Sequence, residues 1–233
     1  MYWVIAILLL LALTLFMVWA SADVGSNIYL KAVCKGSDHQ RVVALTFDDG
    51  PDKNMTPKVL DVLKQHNIKA TFFLVGAKVD NNPDIVRRMV EEGHIVANHT
   101  YSHSELFPLS NGQKVVQELQ MCSNSIKRAV GLSPKLFRPP FGVTNPIIGK
   151  AVRALGLKTV GWSVRSLDTA TDKSREDICR RVVKRLHPGA IILLHDRCDM
   201  ADELLESVIQ AIERSNYTII PLDKMIKTDL YEN

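Results

Sequence analysis

Two neighbouring carboxylates, Asp48 and Asp49, stand just before a Gly-Pro turn in the stretch Thr46-Phe47-Asp48-Asp49-Gly50-Pro51. In an extended chain adjacent side chains point to opposite sides, so one carboxylate can face a metal while the other faces substrate or water. Asp-Gly-Pro alone is ordinary turn chemistry. The preceding Val42-Val43-Ala44-Leu45 changes its meaning, because a buried strand would deliver both acids from the interior. Further on, His99 and His103 flank Thr100-Tyr101-Ser102. At that spacing two imidazoles lie on one side of a helical turn, close enough to share a cation. With an aspartate they form a two-His-one-carboxylate site suited to Zn²⁺ or another divalent metal.

Three further stretches carry chemistry. In Phe137-Arg138-Pro139-Pro140-Phe141-Gly142 the prolines stiffen the backbone, which suits a fixed cation at Arg138 and a preorganised oxyanion donor among the amides near Phe141. Trp162-Ser163-Val164-Arg165-Ser166-Leu167-Asp168 ends on a carboxylate, and Ile191-Ile192-Leu193-Leu194-His195-Asp196 on an imidazole. A histidine there is a general acid when a carboxylate such as Asp168 orients it and raises its pKa. Each stretch also has a structural reading, a rigid loop for Pro-Pro-x-Gly and a satisfied strand-end histidine for His195.

The elements that must position these residues alternate between apolar runs and amphipathic segments, with no Pro/Ser/Gly linker between them, which predicts one domain. Strands are expected at 42–47, 70–75, 95–98, 136–138, 159–163, 190–194 and 218–220. Helices are expected from a Thr56 cap with Pro57 to His66-Asn67, over 83–92 closed by Gly93, and over 113–130 closed by Gly131. Three more cover 146–155, 174–186 opened by Ser174, and 200–214. Strand and helix alternating in this way give parallel strands with right-handed crossovers. Nearly every strand runs directly into a chemically useful side chain, and a barrel brings such strand ends to one rim, whereas an open sheet spreads them along an edge. The expected architecture is therefore an α/β barrel.

Residues 1–22 contain no Asp, Glu, Lys or Arg, and only Thr14 and Ser21 interrupt the apolar run. As a helix, residues 3–22 would span about 30 Å, the thickness of a bilayer's hydrocarbon core. A retained anchor is favoured over a signal peptide cleaved near Ala22, because the run is longer than the usual apolar signal core and no cation precedes it. Either way the remainder lies outside the cytoplasm. A net charge of +4, without a basic cluster, is too slight to argue for nucleic acid, and no nucleic-acid partner is expected. Cys34, Cys122, Cys179 and Cys198 form no CxxC pair and are expected to hold no metal.

With all five stretches in order, the sequence resembles the polysaccharide deacetylase family, the NodB-homology domain of carbohydrate esterase family 4, from about Arg41 to Leu222. The resemblance implies a distorted (β/α)7 barrel over 41–228, related to the TIM barrel, after an anchor at 1–22 and a linker at 23–40. It implies metal-dependent removal of N-acetyl groups from a glycan, with peptidoglycan or another N-acetylglucosamine polymer as substrate and acetate as product. In the family pattern Asp48 is the general base. Asp49, His99 and His103 bind the metal, usually Zn²⁺. Arg138 fixes the base, the Phe141 amide stabilises the oxyanion, and Leu193 walls the acetyl methyl. His195 protonates the leaving nitrogen and Asp168 is its paired carboxylate. No protein partner is required. Phe141 replaces a frequent Tyr, Arg165 a frequent Asp and Thr169 a frequent Trp, so the groove departs from the pattern more than the chemistry does. An O-acetyl esterase acting on xylan and an inactive glycan-binding envelope protein are the competing expectations.

Overall fold

The computed structural model describes residues 2–37 and 39–232. In chain order its elements are α1 (Tyr2–Ala22), β1 (Ala32–Val33), β2 (Val42–Asp48), α2 (Met55–Gln65), β3 (Thr71–Leu74), α3 (Gly76–Asn81), α4 (Pro83–Glu91) and β4 (Ile95–Asn98). There follow α5 (Gly112–Val130), β5 (Leu136–Phe137), α6 (Pro146–Ala154), β6 (Lys158–Val160), β7 (Val164–Arg165), α7 (Arg175–Lys184), β8 (Ala190–His195), α8 (Ala201–Arg214), β9 (Thr218–Ile219) and α9 (Leu222–Ile226).

All the paired strands are parallel, in the order β1-β6-β5-β4-β3-β2-β8-β7, with β9 beside the start of β2. Near the two ends of that order stand β6 and β7, which only residues 161–163 separate. That short segment bends from one edge to the other: β6 pairs with β5, while the Ser163 amide already donates to the Ile191 carbonyl of β8. One kinked strand thus closes the ring, and this is the distortion in the barrel. The expected strand at 218–220 is present as β9 but lies outside the ring, where Val42 and Val43 pair with Thr218 and Ile219.

Strand alternation sorts the apolar side chains into two layers. Outward residues such as Val43, Leu45, Phe47, Phe72, Ile192 and Leu194 pack beneath α2, α4, α5, α7 and α8. Inward residues Ala44, Phe73, Ile95, Ala97, Leu136, Val160 and Ile191 fill the barrel, with Leu222 and Met225 of α9 against them. Continuing each inward row by two residues at a time gives Ala44-Thr46-Asp48, Ile95-Ala97-His99, Leu136-Arg138 and Ile191-Leu193-His195. The barrel's own period therefore aims four of the candidate site residues at one rim.

Several helix ends are closed by side-chain or left-handed caps, of which Ser174 and Gly131 are the expected ones. The side chains of Asn111, Asn145 and Ser174 accept from the amides of Lys114, Ile148 and Asp177, and Gly131 ends α5 in the left-handed region. Thr56 departs from expectation. The start of α2 is satisfied instead by Asp52, whose Oδ1 accepts from Asn54 and Met55, while the buried Thr56 hydroxyl donates to Asp196 Oδ2 at 2.6 Å. Helices α3 and α9 and strands β1 and β7 are too short for periodicity to reveal. The stretch ahead of the barrel joins the sheet, since β1 pairs with β6. Asn98, inside an Asn-x-Thr triplet, is fully buried at the end of β4.

Helix α1 presents apolar side chains to the outside along its length and touches the domain only at its end, where Ala20 is buried and the Thr144 amide donates to the Ser21 carbonyl. With a mean hydropathy of 2.7, it is one helix among the described residues long and apolar enough to cross a membrane. All four cysteines are free thiols.

The barrel wall holds one histidine that the rim does not use. His94 is buried beside the Phe72 ring, accepts the Ala70 amide at Nδ1 and leaves Nε2 without a hydrogen-bond partner, 3.9 Å from Glu92 Oε2. Burial, aided by Lys69 and Arg88 and opposed by Glu92, lowers its pKa to about 4. The unfolded chain takes up that proton near pH 6.5, so the stability due to neutral His94 is complete above pH 6.5 and lost as pH falls toward 4. We expect the unaltered chain to lose about 2–3 kcal/mol more than His94→Asn between pH 7 and pH 4.5, or roughly 5–10 °C in Tm. Parallel melting series of the two proteins check this, and identical pH slopes would contradict it.

Candidate active site

The row Leu136-Arg138 puts a guanidinium inside the barrel with no solvent exposure. Its Nη1 donates to Asp48 Oδ1 at 2.7 Å and to the Thr46 hydroxyl at 2.9 Å, Nε donates to the Val160 carbonyl, and Nη2 to the Gly161 carbonyl. The group lies 4.0 Å over the Phe73 ring. Burial pushes the Arg138 pKa down, and the Asp48 charge and hydrogen bond oppose that shift. Pinning Oδ1 leaves Asp48 Oδ2 facing the rim, 3.8 Å from His99 Nε2.

Asp49 leaves the extended conformation that Asp48 keeps, at φ 73°, so the two carboxylates diverge through a turn rather than by strand alternation. Its Oδ1 lies 3.4 Å from His99 Nε2 and 3.2 Å from His103 Nε2. The expected helical turn between the histidines is absent. Thr100 and His103 take left-handed backbone angles in a loop that still brings the rings to 4.9 Å. His99 Nδ1 lies 2.7 Å from the Arg138 carbonyl, and because a carbonyl only accepts, Nδ1 carries the hydrogen and Nε2 faces the cluster. Burial, reinforced by His99, lowers the His103 pKa to about 4 and keeps that ring unprotonated near neutrality. Burial alone would raise the Asp49 pKa, but His99, His103 and Arg197 hold it far below the usual carboxylate range. One ligand atom from each of Asp49, His99 and His103 falls within 4.8 Å of the others, and the donor set of one carboxylate and two imidazoles fits a divalent cation.

Across the rim, His195 Nδ1 bonds Asp168 Oδ1 at 2.8 Å, and the His195 amide donates to Asp168 Oδ2 at 2.6 Å. The Ser166 hydroxyl also donates to Asp168. Burial would lower the His195 pKa, but Asp168, with Asp48 and Asp49 behind it, raises it above the ordinary value. His195 Nε2 is left 4.0 Å from Asp49 Oδ2. Leu193 is buried one step below it in the same inward row. Phe141 sits at φ 60° with its ring edge-on to His103, in a turn whose hydrogen bonds use the amides of Gly142 and Val143. Arg165 is exposed with its carbonyl held by Arg181, and Thr169 lines a cavity of about 440 Å³ beside Asp168. A cavity of about 580 Å³ between α5 and α6 has Lys150 as its only ionisable lining residue and does not suit this chemistry.

The barrel thus brings together all the site residues expected from the sequence. Sequence reasoning missed Lys78, whose Nζ donates to the Asp49 carbonyl, and Arg197, whose Nε donates to Asp49 Oδ2. Asp196, which closes the fifth stretch but was given no role there, is fully buried against Gly50, where burial raises its pKa to about 7. Asp196 and Arg197 directly follow His195, which was the available signal. Lys78 lies in the short α3 and had none.

Removing Arg138 would strand Asp48 and two carbonyls without partners. We expect Arg138→Met to cost about 3–5 kcal/mol, lowering Tm by roughly 10 °C or more. Adding Asp48→Asn should recover part of the loss, since no unpaired charge then remains. Thermal melts of both variants check this, and strictly additive losses would contradict the coupling.

The family model for polysaccharide deacetylases matches residues 35–160. The peptidoglycan-N-acetylmuramic acid deacetylase PdaA of Bacillus subtilis is 34% identical over 194 residues, covering 82% of this chain and 73% of its own length. A crystal structure of a peptidoglycan N-acetylglucosamine deacetylase, bound to a naphthyl-substituted N-hydroxybenzamide, superimposes with a TM-score of 0.80 at 34% identity over 85% of this chain and 94% of that one. A CE4-family pseudoenzyme from Bacillus anthracis superimposes with a TM-score of 0.77 at 26% identity, over 85% and 71% of the two chains. The chain belongs to the polysaccharide deacetylase family, carbohydrate esterase family 4, and is a polysaccharide N-deacetylase.

Proposed function

We propose that this chain removes acetyl groups from the amino sugars of peptidoglycan outside the cytoplasm, using one divalent ion, Zn²⁺, held by Asp49, His99 and His103. The observation that carries the reading is the convergence on one rim of a pinned carboxylate, a three-residue ligand set and a carboxylate-paired histidine, each within 4.0 Å of the next. PdaA and the structure in complex with the benzamide, both named for peptidoglycan, support that substrate. Helix α1 is read as the anchor that holds the 41–228 domain beside the wall polymer.

The ion supplies Lewis-acid activation of water and of the acetyl carbonyl. Asp48 accepts a proton from the attacking water at Oδ2, the oxygen that Arg138 leaves free. The Phe141 amide donates to the carbonyl oxygen as it gains negative charge. His195, held through Nδ1 by Asp168, delivers a proton from Nε2 to the departing glucosamine nitrogen, and its raised pKa favours the protonated ring this step requires. Leu193 excludes water beside the acetyl methyl. Acetate and a free amino sugar result. The fold alone does not make the enzyme, since a pseudoenzyme shares it. What argues for activity here is the complete set of base, ligands and acid.

The test is mass spectrometry of N-acetylglucosamine oligomers, peptidoglycan fragments and acetylated xylan after incubation with the detergent-solubilised, zinc-loaded chain. The expected result is loss of one acetyl mass per modified sugar from the first two substrates and none from xylan. Asp49→Ala and His99→Ala should lose bound zinc and turnover together, whereas His195→Asn should keep its zinc and lose roughly 10²–10⁴-fold in kcat. Turnover by a metal-free Asp49→Ala protein would overturn the reading.

A further inference from the structure

Asp49 is engaged on both carboxylate oxygens, and by different kinds of group. Oδ1 faces the imidazoles of His99 and His103, whereas Oδ2 receives the Nε–H of Arg197 at 2.7 Å. The backbone around Asp49 is already clamped. Its carbonyl accepts from Lys78 Nζ at 2.7 Å, and the Gly50 carbonyl accepts from the Val75 amide. Gly50 lies so close to Asp196 that a Cβ there would come within 2.3 Å of Oδ2. What remains free is rotation of the Asp49 carboxylate about its last bond, and Arg197 is the group that opposes it.

We propose that Arg197 is a positioning residue for the metal, one that occupies Asp49 Oδ2 so that the carboxylate meets the ion through Oδ1 alone. This rests on the metal reading above. A carboxylate able to turn binds a cation through one oxygen or two, and the two-oxygen mode uses a coordination position that water and the acetyl carbonyl would need. A guanidinium on the outer oxygen removes that mode. Partners of this kind, in contact with a ligand rather than with the ion, are worth roughly 10–100-fold in metal affinity. Arginine suits the task because its Nε–H is directed within a rigid plane, while a lysine ammonium is a mobile point charge. Arg197 is partly exposed on the wall of the cavity beside Asp168, so replacing it leaves the packed interior untouched.

Zinc affinity of the detergent-solubilised full chain, measured by competition with a chromophoric chelator, tests the proposal. Arg197→Gln should bind zinc roughly 10–100-fold more weakly than the unaltered chain, with the metal-free protein still cooperatively folded. Arg197→Lys should recover part of the affinity, and Arg175→Gln, which removes a cation from the same cavity, should bind as the unaltered chain does. The visible absorption of the cobalt-substituted protein should shift in Arg197→Gln as the coordination mode changes. Zinc affinity within two-fold of the unaltered chain, or tighter, together with an unshifted cobalt spectrum, would overturn the proposal. Failure of zinc to bind even the unaltered chain would overturn the metal reading on which it rests.

Discussion

A fully buried arginine at the centre of a barrel needs partners for every donor, and here the partners are parts of the candidate active site. Arg138 ties the pinned oxygen of Asp48 on β2 to the hydroxyl of Thr46 below it and to the carbonyls of Val160 and Gly161, at the point where the barrel strand kinks. Its own carbonyl takes the Nδ1–H of His99. One residue therefore sets the orientation of the proposed base, the tautomer of a proposed metal ligand and the closure of the ring. Buried ion pairs contribute little net stability, because desolvation offsets most of the attraction, yet losing one partner is expensive. The value of the pair is positional: it commits Asp48 away from its neighbour, so two adjacent aspartates can take different roles.

Above that arginine the rim is built from bent backbone. Asp49, Thr100, His103, Phe141 and Leu167 all adopt left-handed angles, each next to or within the cluster. For residues other than glycine this conformation costs roughly 1–2 kcal/mol apiece. Lys78 donating to the Asp49 carbonyl and the Thr100 amide donating to Asn98 Oδ1 hold two of these turns in place. Regular strands aim Asp48, His99, Arg138 and His195 at the rim, and strained turns immediately after them swing Asp49, His103 and Phe141 inward.

Those two modes differ in how far they can be read from residues alone. The inward rows follow a strict period of two, so Asp48, His99, Arg138 and His195 were legible as strand ends bearing chemistry, and the barrel was legible from their convergence. The link between His99 and His103 looked like a helical turn because the spacing matches one, but positive φ at two non-glycine positions leaves no compositional trace. Lys78 was invisible for a related reason, and Arg197 carried no signal beyond its place two residues after His195. Each reaches Asp49 from an element distant in sequence, and a lone cation beside a short helix or after a strand resembles any solvated surface residue. Thr56 was misread because a hydroxyl at the start of a helix normally caps it, while here the buried Asp196 carboxylate competes for that hydroxyl and prevails. The kinship with a pseudoenzyme adds a further lesson, that barrel and packing survive without activity, so function has to be argued from the rim.

The chemistry proposed for this rim depends on a division of labour between Asp48 and Asp49. Anomalous diffraction from crystals of the zinc-loaded chain measures it directly. The expected map places the ion against Asp49 Oδ1, His99 Nε2 and His103 Nε2, with Asp48 Oδ1 still on Arg138. An ion coordinated by Asp48, with Arg138 released from it, would contradict the account.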